Sequence, residues 1–83
     1  MQATIIAHEA PGEAASEEIH RFRFQLDDDE SGRVTDSISL RTARVIVENL
    51  EDGNAFIQML RVIVSAEPMR YDSLVGSSYI DKR

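Results

Sequence analysis

The side chains in this 83-residue sequence best suited to chemistry are a run of four acids, Asp27-Asp28-Asp29-Glu30, and two histidines, His8 and His20. The acids continue into Ser31-Gly32-x-Val34, which matches the opening of an EF-hand calcium loop: oxygen ligands at alternate positions, then a glycine for the turn and an apolar residue. The match then fails. Ile38 stands where the loop needs a bidentate Glu, and the residues before Asp27 alternate like a strand where the hand has a helix. An acidic hairpin turn accounts for the same residues, and calcium binding is kept as an alternative. His8 and His20, with Glu9, Glu17 and Glu18, are residue types that build metal sites. No H-E-x-x-H spacing is present, and His20 shares its face with Phe22 and Phe24, which reads as a half-buried strand residue.

Other chemistries lack their parts. With no cysteine there is no disulfide, thiolate metal site or thiol nucleophile. None of the serines lies in a G-x-S-x-G elbow, and the glycines at 12, 32, 53 and 76 are isolated, so there is no phosphate loop. The expectation is a non-enzymatic protein without metal or cofactor. No apolar run approaches the ~18–20 residues that cross a bilayer, and no signal peptide is visible. The expected location is cytoplasmic.

Charge placement says more than its total of −6. Residues 1–36 hold nine acids against three bases, and residues 37–83 hold six of each. The acidic half repels phosphate backbones and suits a basic protein partner. Glu17, Glu18, Asp27, Asp28, Asp29 and Glu30 are the candidate partner-binding residues. One concrete form is an inhibitor that offers carboxylates in place of phosphates; another is an adaptor. Direct nucleic-acid binding is not expected.

These residues must be positioned by short elements. Residues 3–8 read as a strand, ended by Pro11-Gly12, and residues 9–18 as a solvated loop. Residues 19–26 alternate more cleanly, and helical spacing would put Phe22 and Phe24 about 200° apart. Residues 33–40 alternate again, giving a hairpin with apolar face Phe22, Phe24, Leu26, Val34, Ile38 and Leu40, and Asp36 near the strand edge. Ser39 then caps a helix carrying Ala43, Ile46, Val47 and Leu50, which Gly53 ends in a left-handed conformation. Asn54 caps a second helix through Ala66, stopped by Pro68. The β-branched runs Val45-Ile46-Val47 and Val62-Ile63-Val64, with Asp52-Gly53 between them, support a rival all-β meander.

The expected fold is one α+β domain over 1–83, with about three antiparallel strands covered by one or two helices. Residues 69–83 form a short terminal element or a tail ordered by a partner, with Asp81-Lys82-Arg83 mobile. Segment 55–64 is apolar around most of a helix, so Phe56, Met59, Leu60 and Ile63 are candidates for self-association, and a homodimer is expected. The order strand, helix, helix from residue 33 also fits a dimeric ribbon-helix-helix DNA-binding regulator. Arg33, Arg41 and Arg44 would be its contacts, against the acidity of the first half.

Overall fold

The structure is a computed structural model that describes residues 1–9, 20–30, 32–50 and 53–81. Four strands, β1 (Gln2–Glu9), β2 (Arg21–Asp28), β3 (Gly32–Ser39) and β4 (Ser78–Ile80), form one antiparallel sheet in the order β3-β2-β1-β4. Helices α1 (Leu40–Asn49) and α2 (Ala55–Ser65) lie between β3 and β4 in sequence. The fold is therefore α+β, with a fourth strand supplied by the tail.

Residues 40–49 and 55–65 are helical where a second hairpin would need strands, which removes the meander. Both helix starts are capped as their sequences require: Thr42 N–H donates to Ser39 Oγ (3.2 Å) and Ile57 N–H to Asn54 Oδ1 (2.8 Å). In α2, Ile57, Met59, Leu60 and Ile63 are all buried, so β-branched content yields to a continuous apolar helix surface. The exit from α1 differs from expectation. Leu50 is extended (φ −128°, ψ 132°), and the positive-φ glycines among the described residues are Gly32 and Gly76, not Gly53.

The helices cover one sheet face unevenly. Helix α2 lies on β1 and β4, while α1 packs mainly on α2 and meets the sheet at the end of β3. The core joins Ala3, Ile5, Phe22, Phe24 and Ile38 to Leu40 and Ala43 of α1, to the buried side of α2 and to Tyr71. Leu40, read above as a strand residue, opens α1. The cover thins toward the far end of the hairpin: Leu26 is half-buried against the core and Val34 is 50% exposed.

The tail is built into the fold. Two 3₁₀ turns, Pro68–Arg70 and Asp72–Leu74, place Tyr71 in the core, and Gly76 (φ 96°) turns the chain into β4. Gly76 N–H then donates to Ile5 O (2.7 Å) and Ile5 N–H to Ser77 O (3.0 Å). Asp81, expected to be mobile, accepts from Ala55 N–H (2.7 Å) and so satisfies an open donor at the start of α2.

That bond, then the Met1 amino group, holds the Asp81 carboxyl below the usual carboxylate range. A carboxyl with a depressed folded pKa stabilises the fold above its unfolded value, and that contribution is lost as pH falls through the folded value. Asp81→Asn is expected to lower the melting temperature at neutral pH and to make the acid limb below about pH 4 shallower. Thermal melts across that window check it; superimposable curves for both proteins would refute this role.

Candidate functional site

Strand β3 forms one edge of the sheet, and the direction of its amides follows from its pairing. Leu40 N–H donates to His20 O (2.8 Å), which makes 20 and 40 a hydrogen-bonded pair in the β2–β3 register. Such pairs alternate along an antiparallel ladder. Val34, Asp36 and Ile38 therefore bond β2, and the N–H and C=O groups of Arg33, Thr35 and Ser37 point outward. The Asp36 carboxylate accepts from the Ser37 amide (2.8 Å). Among the described residues no strand pairs with this edge, and the strand is exposed on both faces from Gly32 to Ser37. An edge of eight residues without proline, and without a paired strand among the described residues, is a template for another strand.

The acidic run lies at the tip of the same hairpin. Asp28 faces Gly32, whose positive φ (78°) closes the turn, and Asp28 Oδ1 accepts from Glu30 N–H (3.0 Å). Asp27 is engaged: Arg33 Nε donates to it at 2.9 Å and Gln25 Nε2 at 3.0 Å, which holds its carboxyl below the usual range. Of the four acids in the run, Asp28, Asp29 and Glu30 are exposed. Glu17 and Glu18 lie outside the described residues. Among those described, no group of three His, Cys, Asp or Glu side chains is placed to hold a metal.

The other sequence candidates separate. Met59, Leu60 and Ile63 are fully buried within the single chain, and Phe56 is half-buried with its ring 5.3 Å from that of Phe24. The apolar circumference of α2 is consumed by the sheet on one side and α1 on the other, which leaves only Phe56 of the four with accessible surface. The ribbon-helix-helix order is present as β3, α1, α2, but β3 is already paired with β2. Arg33 is bound to Asp27 on the outer sheet face, whereas Arg41 is exposed on α1 in the helical layer. No helix among the described residues is long and apolar enough to cross a membrane.

The histidines, grouped in the sequence with Glu9, Glu17 and Glu18, do meet, but their carboxylate partner is Asp72, which the sequence did not indicate. Simple alternation from Ile5 would send His8 to the outer face. A bulge between Ile5 and Ala7 adds a residue, and His8 then pairs with Phe22 on the inner face. His8 Nε2 lies 2.7 Å from His20 Nδ1, and His8 Nδ1 lies 2.7 Å from Asp72 Oδ1. The ring centroids are 4.9 Å apart and the planes differ by 15°, so the imidazoles meet edge to edge. Tyr71 sets its ring edgewise against His8, His20 and Phe22 at 5.0–5.4 Å. The His8 side chain is 6% exposed, while Asp72 is 91% exposed. The result is a carboxylate–imidazole–imidazole chain that ties β1 to the residue before β2 and to the tail. No spacing rule signals it, because a bulge and a 3₁₀ turn bring the parts together.

Comparison of the chain with protein-family models, curated proteins and solved structures gave no match. The chemistry is thus read from the atoms themselves. One proton fits between His8 Nε2 and His20 Nδ1. With Asp72 ionised and accepting from His8 Nδ1–H, the neutral pair carries Nδ1 protons on both rings. Nitrogen-15 spectra at alkaline pH should show both histidines as Nδ1–H tautomers; an Nε2–H form of His8 would refute the chain. His8→Ala, which removes a buried ring and two hydrogen bonds, is expected to cost about 2–3 kcal/mol in urea unfolding.

Proposed function

We propose that this domain is a non-enzymatic protein-interaction module that adds a partner strand to the β3 edge beside an acidic hairpin tip. The observation that carries the reading is the long edge of β3, which no strand among the described residues pairs, with the amides of Arg33 and Thr35 directed outward. Main-chain bonding along such an edge supplies affinity, and neighbouring side chains supply selectivity. Asp28, Asp29 and Glu30 at the end of the strand favour a partner segment carrying Lys or Arg. Asp36 acts as a guard, because its carboxylate occupies the Ser37 amide and opposes indiscriminate pairing. Inhibitor and adaptor are the roles this mode serves, and a cytoplasmic setting agrees with the absence of cysteine.

A photocrosslinking residue at Ser37, with Arg61 on α2 as the control position, tests the mode in living cells. Adducts are expected from position 37 and not from 61. They should fall at least tenfold with Thr35→Pro, whose amide makes no ladder bond to β2. Neutralising the tip (Asp28→Asn, Asp29→Asn, Glu30→Gln) should weaken capture and reduce its salt dependence. Equal adducts at both positions, or adducts indifferent to Thr35→Pro, would exclude strand addition at β3.

A further inference from the structure

We infer that the strand added to this edge is β3 of a second copy, paired antiparallel about a two-fold axis between the two Val34 residues; the inference rests on the strand-addition reading above. The register follows from which groups are open. Arg33 and Thr35 direct their main-chain groups outward, while the Ser37 amide is taken by Asp36. Placing Arg33 of one copy opposite Thr35 of the other uses both open positions on each chain and leaves the Asp36–Ser37 contact intact. Shifting the axis to Thr35 would require the Ser37 amides and break that contact. Shifting it to Asp36 would set two carboxylates face to face.

The same register makes Val34 its own partner. Val34 belongs to the sheet face that the helices cover elsewhere, yet it is 50% exposed. Because Val34 is hydrogen-bonded to β2, it faces its twin as a non-hydrogen-bonded pair, the closer of the two antiparallel spacings. Each valine would remove apolar surface from water that the single chain cannot cover.

Charge agrees with this arrangement. The chain runs directly from β3 into α1, so antiparallel pairing carries the tip of one copy, with Asp29 and Glu30, alongside Ile38 and Ser39 of the other. Helix α1 begins at Leu40 there and has Arg41, exposed, and no acid in its first turn. That is the reverse of what a helix N-terminus prefers. Acids from the second copy supply the missing negative charge, and the two-fold repeats the contact at both ends.

The chain has no cysteine, so Val34→Cys introduces a single thiol. A non-hydrogen-bonded pair has Cα atoms about 4.5 Å apart, within the span a disulfide bridges. The experiment combines light scattering on the wild type, Val34→Lys and Thr35→Pro with mild oxidation of Val34→Cys. Val45→Cys serves as the control, since Val45 is 54% exposed on α1. The expected result is a wild-type mass twice the 9.3 kDa of one chain, monomers for Val34→Lys and Thr35→Pro, and covalent dimers from Val34→Cys alone. Arg41→Glu should weaken the dimer, and the charge-swapped double variant with Asp29→Arg should recover it. A monomeric wild type with no Val34→Cys crosslink overturns the inference. In that case position-37 adducts to a different protein would leave strand addition standing, and their absence would remove both. A dimer that crosslinks through Val45→Cys, or that survives Val34→Lys and Thr35→Pro, also overturns it.

Discussion

A helix is about 10 Å across, and four strands spaced about 4.8 Å apart make a wider surface than one helix can cover. The rest of this molecule depends on that mismatch. Helix α2, apolar around most of its circumference, takes the half of the sheet formed by β1 and β4. Helix α1 carries fewer buried residues, Leu40 and Ala43, and rests mainly on α2 and not across β3. The apolar surface of α2 is thereby satisfied on two sides. The consequence falls on the hairpin end, where Val34 is half exposed and no strand among the described residues pairs the β3 edge. The part of the chain with the richest apolar sequence becomes interior, and the available surface falls on a strand of ordinary composition.

The tail closes the opposite side of the sheet through contacts that are polar and aromatic as well as apolar. Tyr71 enters the core from between two 3₁₀ turns, and β4 continues the sheet beyond β1. The bulge in β1 makes the attachment specific. By turning His8 inward it sets an imidazole between Asp72 and His20, so a residue of the tail, a residue of β1 and the residue before β2 share one proton-ordered chain. Burial of polar rings is tolerable only with their nitrogens partnered. Among the described residues, no buried side-chain nitrogen or oxygen lacks a partner. The cluster is a joint in the architecture, tying β1 to the tail and to the residue before β2.

Acidic charge is distributed by the same geometry. The hairpin tip carries Asp28, Asp29 and Glu30 outward, while Asp27 is paired with the Arg33 guanidinium and accepts a hydrogen bond from Gln25. Asp36 stands on the face that the helices would cover if they reached β3. Its carboxylate turns to the edge and accepts from the Ser37 amide. An inward-directed acid on an edge strand is a common means of limiting uncontrolled pairing. Here it narrows the open edge to Arg33 and Thr35, which is compatible with a defined registered partner.

The sequence by itself determined the local elements. Alternation of Phe22 and Phe24 defined β2, Ser39 and Asn54 marked the helix starts, and Pro68 marked the end of α2, because these signals act over one or two turns of chain. It also located the acidic hairpin tip. What it left to the tertiary structure was everything that depends on two distant segments meeting. Ser78–Ile80 became a strand only because β1 offered an edge, and Gly53 was not needed as a left-handed cap because Leu50 leaves α1 extended. Met59, Leu60 and Ile63 looked like an interface by composition, yet whether an apolar helix is core or contact depends on what lies against it. The meeting of His8 and His20 required a bulge that shifts side-chain parity by one residue, and period-two reading carries no sign of it. Local pattern specifies which face of an element is apolar; only packing decides whether that face is covered, and by what.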